Sequence, residues 1–103
     1  MDTSLRKLTL AIPKNIKASI LDALDGLDPN LQGYSFVPAQ GRGPSVELST
    51  GPEKVLGASN IVLIFIILPE GQIRPVLETV LAACSRPKIS YWVEAILDFG
   101  RLQ

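Results

Sequence analysis

Leu8, Leu10 and Ile12 alternate with Thr9 and Ala11, the two-residue period of a half-buried strand. Pro13 follows, and its fixed φ suits the first turn of a helix, where no backbone donor is required. Ile16, Ile20, Leu21, Leu24 and Leu27 then recur at three- and four-residue steps, which predicts a helix from about Pro13 to Leu24. The turn formers of Asp25-Gly-Leu-Asp-Pro-Asn30 end it. Tyr34 to Ala39 reads as a second strand, with Pro38 placing it at an edge or a bulge. Ile61–Leu68 is a third strand, apolar at every position. Pro69-Glu-Gly-Gln72 opens a second helix with the apolar stripe Ile73, Val76, Leu77, Val80, Leu81 and Cys84, in which Pro75 fits only within the first turn. Ser85-Arg-Pro-Lys88 is an exit turn, Ile89 to Ile96 a fourth strand, and Phe99–Gln103 a short tail.

The order strand, helix, strand, strand, helix, strand predicts an α+β, ferredoxin-like βαββαβ domain spanning residues 1–103. It would have a four-stranded antiparallel sheet and both helices on one face. Between Gln40 and Gly57 no periodicity holds, but there are four glycines and two prolines. A loop of that length in so small a domain is usually functional or disordered.

Two helices cover one face of a sheet only. Ile61, Leu63, Phe65 and Ile67 point one way and Val62, Ile64, Ile66 and Leu68 the other, so both faces of the third strand are apolar. A wet face would carry polar residues at alternate positions. Tyr91 and Trp92 likewise fall on opposite faces, and Glu94 shares the face of Trp92. Either the long loop folds over the second face, or another copy of the chain covers it; the second is the expectation.

The composition narrows the chemistry. Hydrophobic residues make up 47% and charged residues 19%, as in a folded domain. Ten basic residues balance ten acidic ones, which argues against general nucleic-acid binding. The absence of histidine removes Ser-His-Asp and Cys-His catalysis and most zinc sites. The single cysteine, Cys84, continues the stripe of the second helix; it reads as a small buried hydrophobe, with no histidine to activate it. The N-terminal residues show no secretory pattern, and the eight apolar residues 61–68 fall short of the 18 or so that span a bilayer. A cytoplasmic location without membrane insertion is expected.

The opening Leu8-Thr-Leu-Ala-Ile-Pro-Lys14, the Gly41-Arg-Gly43 segment after the second strand, the long loop, and the closing Tyr91-Trp-Val-Glu94 with Gly100-Arg-Leu102 resemble the PII-like superfamily. Within it, the resemblance is to small PII-like proteins often encoded beside heavy-metal efflux systems. It implies a homotrimer with sheets facing inward, small-molecule sites in clefts between subunits, and a T-loop that docks on a target such as a membrane transporter. Carried over residue by residue, it implies a ligand site at Gln40, Gly41, Arg42, Gly43, Lys88 and Arg101, with an adenine nucleotide as one candidate effector. Glycines let the backbone approach a phosphate, and a guanidinium pairs with it bidentately. The loop where PII proteins carry a glycine-rich phosphate cradle is here Cys84-Ser-Arg-Pro-Lys88, so only Arg86 and Lys88 are there to hold an anion.

Each of these residues also has a plainer reading. Gly41-Arg-Gly-Pro44 makes an ordinary turn, Arg86 suits a helix C-terminus, and Lys88 and Arg101 serve as solvated charges. Glu47, Glu53 and Lys54 are solvated or belong to a docking surface. The expected function is non-enzymatic: binding a small anionic effector between subunits and signalling to a target through loop 40–57. A metal-tolerance protein resembling CutA is the alternative, weakened by the lack of soft ligands. An acylphosphatase-like enzyme ranks lower, because the turn Ile12-Pro-Lys-Asn15 has neither Gly nor Arg. An amino-acid-binding ACT-type domain is a third reading.

Overall fold

The computed structural model describes residues 4–27, 33–42, 59–85 and 88–103. Strand β1 (Leu5–Pro13) leads through a 3-10 turn (Lys14–Ile16) into helix α1 (Lys17–Asp25). Strands β2 (Ser35–Gly41) and β3 (Ser59–Pro69) follow, then a second 3-10 turn (Glu70–Gln72), helix α2 (Ile73–Ala83) and strand β4 (Ser90–Ala95). The strands lie in the order β2-β3-β1-β4, every neighbouring pair antiparallel. This is the ferredoxin-like arrangement expected from the pattern.

The two prolines act one step earlier than expected. Pro13 and Pro69 each have extended backbone (ψ 143° and 147°), so they close a strand and cap the turn that follows. Pro75 does stand in the first turn of α2, where its missing N–H costs no helical bond. Strand β2 runs two residues past the expected end: Gln40 pairs with Asn60 and Gly41 with Ser59. The start of the expected loop is therefore ladder, and from residue 43 onward to 58 it lies outside the described residues, as do Arg86 and Pro87.

Alternation decides which face is core. Leu8, Leu10 and Ile12 of β1 and Val62, Ile64, Ile66 and Leu68 of β3 point to the helices and are buried, together with Ile20, Leu24, Val76 and Val80. Cys84 does not continue the helix: it caps α2 with extended backbone (φ −158°, ψ 97°) and is half-buried against this cluster, not fully buried as expected. On the opposite face Ile61, Leu63, Phe65 and Ile67 are half-buried. That face carries Trp92, which is 44% exposed, in register with Thr9 and Phe65.

Candidate functional site

The pairing register locates the predicted residues. One row across the sheet reads Ser90, Ala11, Leu63, Val37. Gln40 and Gly41 lie beyond that row at the end of β2, and exposed Arg42 follows them. Lys88 stands two residues before Ser90, also exposed. Arg42 and Lys88 thus occupy the same end of the sheet but opposite edges, since β3 and β1 lie between their strands. Three strand spacings put the two edges about 14 Å apart.

Arg101 does not join them within the chain. Its tail leaves β4 at Ala95, which pairs with Arg6 at the start of β1, the other end of the sheet. Gly43 and Arg86 are outside the described residues. One protomer therefore brings together Gln40, Gly41 and Arg42, sets Lys88 across the sheet at the same end, and leaves Arg101 tethered at the far end.

The uncovered sheet face has its own chemistry. Lys7 Nζ lies 4.0 Å from Glu94 Oε1 and 4.6 Å from the centre of the Phe65 ring. Glu94 on this face thus has an ion-pair partner within the chain. In register between Phe65 and Trp92, Thr9 is fully buried, and its hydroxyl has no hydrogen-bond partner among the described residues. A buried unpaired hydroxyl is costly, roughly 1–3 kcal/mol.

At the other edge of the helical layer, the Tyr34 hydroxyl donates to Asp25 Oδ1 at 2.6 Å. This bond, then burial, then the negative charges of Asp25 and Asp22 push the Tyr34 pKa up to about 12. Lys17 Nζ stands 4.6 Å over the Phe36 ring beside it.

Sequence reasoning missed a groove between α2 and β4. It opens as a cavity of about 560 Å³ bordered by Glu70, Ile73, Arg74 and Val93. It continues past Leu81 and Tyr91 into one of about 340 Å³ that reaches Cys84 and Ile89. Leu81 belongs to the apolar stripe of the second helix, yet it is 62% exposed. Among the described residues no three Cys, Asp or Glu side chains come together in a way that could hold a metal ion. No described helix is long and apolar enough to cross a membrane.

Comparison with known proteins places this geometry. Residues 2–103 match the family described as protein of unknown function (DUF3240). A DUF3240 family protein from Shewanella baltica OS155 superposes with a TM-score of 0.80 at 25% identity, covering 100% of both chains. CPII, a nitrogen regulatory PII-like protein from Thiomonas intermedia K12 solved with ADP, AMP and bicarbonate, gives 0.69 at 24% identity over 94% of this chain and 93% of that one. Arabidopsis thaliana PII bound to citrate gives 0.72 at 14% identity, over 98% and 85%. No curated protein matches the chain. The fold is that of the PII-like proteins, and the chain belongs to the DUF3240 family.

Proposed function

We propose that this chain is a non-enzymatic regulatory protein that assembles as a homotrimer. In this reading it binds a small anionic effector in the clefts between subunits and docks on a target protein through the segment that follows β2, residues 42–57. The observation that carries the reading is the placement of Arg42 and Lys88 at one end of the sheet on opposite edges. A cyclic assembly sets unlike edges of neighbouring copies against one another. The β2 edge of one copy then meets the β4 edge of the next, and two cations 14 Å or so apart in one chain converge on a shared ligand. Gln40 and Gly41 lend backbone to the same cleft. Arg101, attached at the far end, is not required.

The apolar second face supports the assembly, since Leu63, Phe65 and Ile67 need cover that two helices on the other side cannot give. The ligands of the structural neighbours suggest what to try: ADP, AMP and bicarbonate with CPII, citrate with the Arabidopsis protein. An effector that binds one state of the loop better than another shifts that state, and only by its differential affinity. A membrane transporter is one candidate target.

The test is a thermal-shift series with those four anions on the wild type and on Arg42→Ala and Lys88→Ala. A ligand at 100 times its Kd adds about 2.7 kcal/mol. Both variants should keep the unliganded Tm and lose the shift; a full shift in both removes these residues from the site.

A further inference from the structure

Of the large apolar side chains that remain exposed among the described residues, Phe36 and Val37 lie on β2 and Trp92 on the open sheet face, and the other six gather on two features. Leu81, Tyr91 and Val93 line the groove between α2 and β4, and Leu97, Phe99 and Leu102 stand on the tail after β4. Leu97 is 99% exposed and Leu102 104%, as open as in an extended peptide. Apolar surface concentrated in this way marks a binding surface.

Groove and tail also match in charge. Arg74 and Glu78, one helical turn apart, border the groove; Asp98 and Arg101, three residues apart, stand on the tail. None of the four has an ion-pair partner among the described residues. The same three-residue step separates Phe99 from Leu102, so an extended tail shows its charges along one side and its apolar groups along the next.

We propose that the groove between α2 and β4 takes the C-terminal tail of a second copy of the chain. The tail runs antiparallel to β4, with Asp98 facing Arg74 and Arg101 facing Glu78. Phe99 and Leu102 lie over Tyr91 and Leu81. The opposite direction would set Asp98 beside Glu78 and Arg101 beside Arg74, a like-charge arrangement that disfavours it. The chain's own tail bends at Leu97 yet does not enter the groove, since Leu97 and Leu102 stay fully exposed on it. This assignment rests on the self-association proposed above, names the segment exchanged, and gives Arg101 a role away from the anion cleft.

Glu78→Cys with Arg101→Cys, in a Cys84→Ser background, tests it on the full chain under mild oxidation. Non-reducing gels should show species of twice and three times the chain mass. A disulfide closed within one chain overturns the second copy as occupant. If no disulfide forms while light scattering still reports several chains, the tail assignment falls and self-association stands; a single-chain mass removes both. Charge reversal gives a second readout free of engineered thiols. Glu78→Arg and Arg101→Glu should each raise the concentration of half-dissociation about tenfold, and the double reversal should restore it. Failure of the pair to restore it overturns the assignment.

Discussion

The Tyr34 hydroxyl donates to Asp25 Oδ1 at 2.6 Å, tying the last residue of α1 to the residue before β2. The Tyr34 pKa in the folded state, about 12, lies above the ordinary value near 10. The neutral phenol is therefore the form favoured by folding. Its contribution is complete below pH 10 or so and is lost as pH rises through about 12. Tyr34→Phe should cost about 1 kcal/mol at pH 8 and flatten the fall in stability across that alkaline window. Denaturant midpoints from pH 8 to 12 check this, and an alkaline fall as steep as the wild type's would contradict it.

Leu10 and Ile64 face one another in register, both fully buried beneath the helices. Leu10→Ala removes the centre of that layer and should destabilise by about 2–5 kcal/mol. Urea unfolding measures it. A loss under about 1 kcal/mol would mean that the core is more pliant than its burial implies.

Leu63 points to the other face, between Ala11 and Val37. Leu63→Asp should leave the far-ultraviolet circular dichroism intact and reduce the mass found by light scattering to the single chain's 11.1 kDa. A multi-chain mass in this variant would show that the second face is not where copies meet.

Thr9 brings a hydroxyl to the same face and leaves it buried without a partner among the described residues. Thr9→Val keeps the shape and removes the unpaired group, so stability should rise by about 1 kcal/mol. A loss of that size instead would mean that a neighbouring copy supplies the missing bond.

Most of the fold was legible because its signals are periodic. The two-residue step of Leu8, Leu10 and Ile12 and the stripe from Ile73 to Cys84 identify a strand and a helix without any partner. The continuous run Ile61–Leu68 announced two apolar faces. What failed was local. Gln40 and Gly41 carry weak strand propensity, and their place in β2 comes from pairing with Asn60 and Ser59, equally unremarkable residues on another strand. The common end shared by Arg42 and Lys88 depends on strand order and register, which spacing along the chain does not encode. Leu81 and Tyr91 match their periodic patterns perfectly, yet a pattern states only which way a side chain points. Whether anything stands there to cover it is a tertiary fact.

In the proposed assembly one anion is held by Arg42 of one copy and Lys88 of the next. The most direct test of this sharing is complementation. Arg42→Ala and Lys88→Ala chains are refolded separately and as an equal mixture, and each is titrated calorimetrically with whichever of ADP, AMP, bicarbonate or citrate stabilises the wild type. Each variant alone should bind nothing, whereas every mixed ring should regain one intact cleft, where an unaltered Arg42 meets an unaltered Lys88. Recovery of binding only in the mixture is the predicted result. A mixture as silent as its components, or either variant binding like the wild type, would contradict a site shared in this way.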